Sequence, residues 1–141
     1  MPVRKSEAEW KGDLKGGSGR VKFEGGAFEG QYNFSSRFEE GKGTNPEELI
    51  AAAHAACFSM ALAAGLSGAG HTPENVRTKA KVKIDPVSGG FEITGITLVS
   101  EATVPGLSDA DFQKIAEATK EGCPVSKALK AVPITLQAKL V

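Results

Sequence analysis

Residues 44–65 read TNPEELIAAAHAACFSMALAAG, and no other segment limits the fold so strongly. Between Leu49 and Leu66 there is no Asp, Glu, Lys or Arg, and nine of the 18 residues are alanine or glycine. Alanine is the best helix former, so this run is expected to be one long helix. Asn45 is a good N-cap, Pro46 suits the first helical position, and Glu48 stands three residues after the cap, as in a capping box. Glu47 and Glu48 complement the positive end of the helix dipole, and Gly65, Gly68 and Gly70 close the helix. A helix that is apolar on all sides belongs in a core. The run is just long enough to be considered as a membrane span. It carries His54 and Ser59, has no basic flank and follows two glutamates, so a buried helix of a soluble protein is expected, with no membrane partner.

The flanking segments have a different period. The first 43 residues hold nine of the 17 glycines, and EAEWKG, GRVKFEGG and EGQYNFSSRF are short aromatic-bearing stretches between them, a pattern of β-hairpins. The glycine-rich KGGSG lacks the spacing and the Lys-Ser ending of a phosphate loop. In TKAKVKID, Lys79, Lys81 and Lys83 alternate with Ala80, Val82 and Ile84, the period of a half-buried strand. Pro86 to Gly90 is a turn into a second strand, GFEITGITLVSEATV. Ser108 caps a second helix with Phe112, Ile115 and Ala116 as its apolar stripe, and Gly122 stops it. Cys123-Pro124 opens a short helical turn, and ITLQAKL closes the chain as a strand. The expected class is α+β, one domain over residues 1–141, with antiparallel hairpins wrapped around the long helix. So few elements cannot wrap an apolar helix of about five turns, which implies a two-fold dimer.

Seventeen basic residues balance seventeen acidic ones, so the chain lacks the electrostatic footprint of a nucleic-acid binder. There are two cysteines and no apolar signal-peptide core in MPVRKSEAEW, which points to a reducing cytoplasm. There a cysteine pair is more often catalytic, redox-active or metal-binding than structural. Cys57 shares a helical face with Ala53, His54, Met60 and Ala61, so packing alone would also account for it. Cys123 follows a helix-stopping glycine and precedes proline, at the N-cap of the next turn, where free N–H groups favour a thiolate. Together the two point to a dithiol–disulfide cycle: a thiolate attacks a peroxide oxygen, and the second thiol captures the resulting sulfenic acid. An arginine beside the first thiolate would raise its population, and a carboxylate would orient that arginine.

RFEEGKGTNPEELIAAAHAACFSMALAAGL and EGCPVSKAL resemble the osmotically inducible protein C (OsmC) family, whose sister branch holds the organic hydroperoxide resistance (Ohr) proteins. The resemblance runs nearly end to end, and the arginine of SSRFEEGKGTNP places it on the OsmC branch. It implies a thiol-dependent peroxidase that reduces organic hydroperoxides, and hydrogen peroxide less efficiently, in the stress response. Cys57 matches the peroxidatic cysteine, Cys123 the resolving cysteine, Arg37 the arginine that contacts the reactive thiolate, and Glu47 the glutamate that pairs with it. The resemblance also implies an intertwined homodimer with sites at the interface, no metal or other cofactor, and a dithiol reductant, which the sister branch identifies with protein-bound dihydrolipoamide. On one straight helix Glu47 and Cys57 stand about 15 Å apart along the axis, so Glu47 is expected to complete the site of the second subunit, with a kinked helix that brings the two together in one chain as the rival.

Among the remaining residues, Glu48 is assigned to capping, His54 to packing or hydrogen bonding rather than base catalysis, and Phe58 and Met60 to the core or an apolar pocket wall. A competing class is a metal site built from His54, Cys57, Cys123 and His71. A third is a non-enzymatic stress protein that binds a small molecule.

Overall fold

The computed structural model describes residues 1–141. The chain gathers into two compact units, Met1–Leu49 and Ile50–Val141.

The first unit is an antiparallel meander of β1 (Ser6–Lys11), β2 (Ser18–Phe23) and β3 (Glu29–Tyr32), in that order. Trp10 and Tyr32 meet over Gly19, with ring centroids 5.4 Å apart. A Cβ on Gly19 would lie 2.5 Å from Tyr32 Cε1 and 2.7 Å from Trp10 Cε3, so only glycine lets both rings lie on the sheet. The stretch EGQYNFSSRF, expected as a strand-like segment, divides. Its strand stops at Tyr32, and Asn33 starts a short helix, α1 (Phe34–Phe38). The switch has a local cause: Asn33 Oδ1 accepts from Ser36 N at 2.7 Å, while Asn33 N donates to Ser36 Oγ at 2.9 Å. This reciprocal cap satisfies donors that a strand ending would leave open. Ser36 Oγ also donates to the Thr44 carbonyl at 2.7 Å, and Asn45 Nδ2 to the Ser36 carbonyl at 2.9 Å, so the loop after α1 is pinned to it.

The long helix, α2, runs from Pro46 to Gly68, as its caps predict. Asn45 Oδ1 accepts from Glu48 N at 2.7 Å. The Glu48 carboxylate differs from the expected capping box: it accepts from the Thr44 hydroxyl at 2.9 Å.

In the second unit α2 is followed by β4 (Asn75–Val87), β5 (Gly90–Thr103), α3 (Asp109–Gly122), α4 (Pro124–Ala128) and β6 (Ile134–Leu140). The lysines of β4 are exposed and Ala80, Val82 and Ile84 half-buried, as the alternation requires. β4 and β5 form the expected hairpin, with a bulge at Lys83/Ile84. β6 is not part of a hairpin. It pairs parallel to β5, from Ile96↔Ile134 to Ala102↔Leu140. A parallel neighbour needs a crossover of a dozen residues or more, and α3 with α4 supplies it. The class is α+β, as expected, with one parallel strand pair in place of an all-hairpin sheet.

The core of this unit joins Phe58, Leu62 and Leu66 of α2 to Ile96, Leu98 and Ala102 of β5 and Phe112 and Ala116 of α3. His54, Phe58, Leu62 and Leu66 recur every four residues, so α2 buries one stripe. The other faces are half-buried or exposed. Ala52, Ala53, Ala56 and Ala64 are exposed, and Met60, expected in the core or in an apolar pocket wall, is 77% exposed and so is not core. α2 is the one helix long and apolar enough to cross a membrane, by length and composition. Its buried stripe packs into the core and includes the polar His54.

Candidate active site

The four residues singled out in the sequence fall into two pairs, one in each unit. In the first unit Arg37 stands in the last turn of α1 and Glu47 in the first turn of α2. Arg37 Nε donates to Glu47 Oε1 at 2.8 Å and, more loosely, to Oε2 at 3.3 Å. The Glu47 carboxylate is buried, while the arginine side chain is 36% exposed. The guanidinium also stacks on Phe38, 5.2 Å from the ring centroid. Trp10, Leu14, Tyr32, Phe34 and Phe38 line a hollow of about 260 Å³ with Arg37 at its wall.

In the second unit Cys57, on α2, and Cys123, between α3 and α4, bring their sulfurs to 3.0 Å across 66 residues. Both are free thiols. That separation is a hydrogen bond between sulfurs, and it is longer than a disulfide by about 1 Å. Cys123 is fully buried and Cys57 half-buried, so the outer sulfur is Cys57. The junction between the helices fixes Cys123: its N–H donates to the Thr119 carbonyl at 2.9 Å, ending α3, and Pro124 opens α4.

The surroundings act differently on the two sulfurs. Burial pushes the Cys123 thiol up, but hydrogen bonding with Cys57 and the influence of the nearby Ser126 N–H, Ser126 hydroxyl and Val125 N–H together bring it below its ordinary value. None of these makes a formal side-chain cap of α4; they act on the charge at short range. Cys57 is pushed up, first by burial and then by its bond to Cys123, with the Val125 N–H opposing. The helix-junction argument for Cys123 is therefore met. The groups of this unit alone do not favour a thiolate on Cys57.

Beside the thiols lies a residue that the sequence reading passed over. Ser126 Oγ is 2.7 Å from His54 Nε2, and both side chains are buried. His54 precedes Cys57 by three positions, and Ser126 follows Cys123 by three. Those equal spacings were the available signal. His54 has its pKa lowered by burial, with no charged group contributing, which fits the hydrogen-bonding role expected of it. The competing metal set does not assemble: no group of three or more His, Cys, Asp or Glu side chains is placed to hold a metal ion.

Two free thiols within hydrogen-bonding distance on an α+β scaffold are the arrangement a dithiol–disulfide protein needs. The comparisons with known proteins give the class a family. Residues 39–137 match the family described as OsmC-like protein, and the chain belongs to that family. The matched span includes Glu47, Cys57 and Cys123 and begins two residues after Arg37. The chain is 53% identical over 138 residues to peroxiredoxin OsmC of Escherichia coli, covering 97% of this chain and 96% of that one. An organic hydroperoxide resistance protein of Xanthomonas axonopodis pv. citri is 36% identical over 98 residues, 68% of this chain and 67% of its own. The crystal structure of the organic hydroperoxide resistance protein OhrB of Bacillus subtilis superposes with a TM-score of 0.71 at 25% identity, over 97% and 98% of the two chains.

Proposed function

We propose that this protein is a cysteine-based peroxidase that reduces organic hydroperoxides, and hydrogen peroxide less efficiently, at the expense of a thiol reductant. The observation that carries the reading is the 3.0 Å approach of the two free sulfurs. The more exposed one, Cys57, takes the peroxide. Its thiolate attacks one oxygen, the O–O bond breaks, and the alcohol leaves after taking up a proton. Cys123 then attacks the Cys57 sulfur, the S–O bond breaks, and water leaves. A dithiol restores both thiols by two exchange steps. The near relative's name, peroxiredoxin OsmC, and the hydroperoxide resistance proteins support the same reaction.

Arg37 and Glu47 are assigned the charge that Cys57 lacks among its neighbours in the second unit. Glu47 takes the Nε side of the guanidinium and leaves the Nη groups to face an anion. A fixed cation would favour the Cys57 thiolate and the departing alkoxide. The helical spacing of Glu47 and Cys57 supports giving this Arg37–Glu47 pair to the Cys57 of a second copy, and the exposed apolar faces of α2 support a homodimer. The apolar hollow beside Arg37 suits the organic tail of a hydroperoxide, a part that hydrogen peroxide lacks. Both units are assigned to one domain, because the family match crosses Leu49–Ile50. The reductant is assigned to a dithiol, with protein-bound dihydrolipoamide as the candidate that the resemblance to the sister branch suggests, and the compartment to the cytoplasm.

Thiol titration and intact mass, before and after one equivalent of an alkyl hydroperoxide, test the reading. Loss of both thiols together with the mass of two hydrogens is expected. Two unreacted thiols would overturn it.

A further inference from the structure

His54 has no part in the peroxide reaction proposed above, yet it is wholly buried and bridges α2, which carries Cys57, to α4, which Cys123 immediately precedes. Its Nε2 meets Ser126 Oγ at 2.7 Å, while its Nδ1 is buried with no partner at all. That asymmetry selects a tautomer. A buried N–H without an acceptor is rarer and less tolerable than a lone pair without a donor. The proton therefore sits on Nε2, and His54 donates to Ser126. With its oxygen accepting from His54, the Ser126 hydroxyl keeps its own hydrogen free to give, and Ser126, three residues after Cys123, is among the groups that hold the Cys123 thiol down.

We propose that His54 is a positioning residue for the resolving step, acting through Ser126 to hold a hydroxyl donor on Cys123 Sγ while that sulfur attacks oxidised Cys57. The proposal rests on the peroxidase reading and deepens it. In this arrangement the donors would run one way: His54 Nε2–H to Ser126 Oγ, then Ser126 O–H to the Cys123 thiolate as it forms. In the step itself the Cys123 thiolate forms the S–S bond, the S–O bond of the Cys57 sulfenic acid breaks, and the hydroxide leaves as water with a proton from solvent. Neither His54 nor Ser126 gives up its proton. The only titratable groups for which the geometry requires a response are the two sulfurs, since no carboxylate or cation contributes at His54. A neutral histidine keeps the chain of donors intact where an imidazolium would place an uncompensated charge in the core.

The test is single-turnover kinetics on the reduced full chain after one equivalent of alkyl hydroperoxide. Disulfide formation is followed by mass, and the sulfenic acid is intercepted with a dimedone-type probe. His54→Leu and Ser126→Ala should each slow disulfide formation on the order of tenfold, the worth of a hydrogen bond to a charged group. Sulfenic acid should accumulate in both. His54→Gln should restore the rate, because its Nε2 amide can donate to Ser126 from a similar place. The pH midpoint of disulfide formation should move up in His54→Leu and Ser126→Ala and stay near the wild-type value in His54→Gln. Wild-type rates and midpoints in Ser126→Ala, or equal losses in His54→Gln and His54→Leu, would overturn the proposal and leave the peroxidase reading standing. Failure of the wild-type Cys57 to oxidise would overturn that reading instead. Ser126→Ala keeps the test decisive if a His54 variant does not fold.

Discussion

Arg37 Nε and Glu47 Oε1 are 2.8 Å apart, which ties the end of α1 to the start of α2. The pair is asymmetric: the carboxylate is buried and the guanidinium partly open. Removing Glu47 leaves an arginine that solvent can still serve. Removing Arg37 leaves a buried carboxylate without its partner, the more damaging of the two.

Arg37→Ala should therefore slow peroxide reduction by about a hundredfold if the guanidinium supports the reacting sulfur and oxygen, as electrostatic groups of this kind do. Glu47→Gln should slow it less, on the order of tenfold, because the cation stays and only its aim is lost. The stability loss should be about 1–2 kcal/mol for Glu47→Gln, since half the pair is open to solvent. Second-order rates with an alkyl hydroperoxide and thermal melts check both. A wild-type rate in Arg37→Ala would remove Arg37 from the mechanism.

The two sulfurs have unequal exposure, and this predicts unequal mutants. Cys57→Ser should consume no peroxide. Cys123→Ser should consume about one equivalent per chain and stop, with Cys57 held as sulfenic acid or as a mixed disulfide with added thiol. A burst measurement with mass analysis separates the two. A full burst in Cys57→Ser would reverse the assignment of roles.

Much of this arrangement can be read from the residues. Asn45 and Pro46 place the start of α2, the Lys79–Ile84 alternation gives the face of β4, and Gly122-Cys123-Pro124 marks the helix junction. These are local signals, set by caps, period and backbone restriction. α1 escapes them because five residues do not make a helical period, and its start depends on the Asn33–Ser36 exchange. The parallel pairing of β6 with β5 escapes because a strand's own sequence does not state its neighbour. Cys57 and Cys123 are each conspicuous, but their meeting, and the His54–Ser126 bond beside it, joins positions 66 and 72 residues apart. Met60 is not core for a different reason: α2 is apolar on every side, and its fully buried stripe is the one through His54, Phe58, Leu62 and Leu66.

Gly19 should tolerate no side chain. Its Cβ would lie 2.5 Å from the Tyr32 ring and 2.7 Å from the Trp10 ring, and both rings are set by their strands. Gly19→Ala should destabilise the protein by about 1–3 kcal/mol, the usual range for overpacking. The tryptophan fluorescence of Trp10 should change with it. A melt within experimental error of wild type would show that the rings can part without loss.

His54 gives a stability slope in acid. Its folded pKa lies below the ordinary 6.5 because burial opposes the charged form. The unfolded chain therefore binds the proton first as pH falls. Stability from neutral His54 is complete above about 6.5 and is lost progressively below it, down to the folded pKa. Melts of reduced protein between pH 7.5 and 5 should show this fall, and His54→Gln, which cannot titrate, should flatten it. An unchanged slope in His54→Gln would assign the acid sensitivity to carboxylates.

The exposed faces of α2 carry the last prediction. Met60 is 77% exposed on a helix whose other open positions include Ala52, Ala53, Ala56 and Ala64. Alanines let another backbone approach closely, and a methionine adapts its shape to whatever meets it. A charge at this position would be stranded in a dimer interface yet harmless on a free surface. Met60→Lys should therefore shift the proposed dimer to monomer in sedimentation analysis, with its secondary structure intact by circular dichroism. If the Arg37–Glu47 pair of one copy serves the Cys57 of the other, peroxide reduction should fall with the dimer, by about as much as in Arg37→Ala. A proven monomer that retains the wild-type rate would return Arg37 and Glu47 to the site of their own chain. A Met60→Lys protein that remains a dimer would place the interface away from this face of α2.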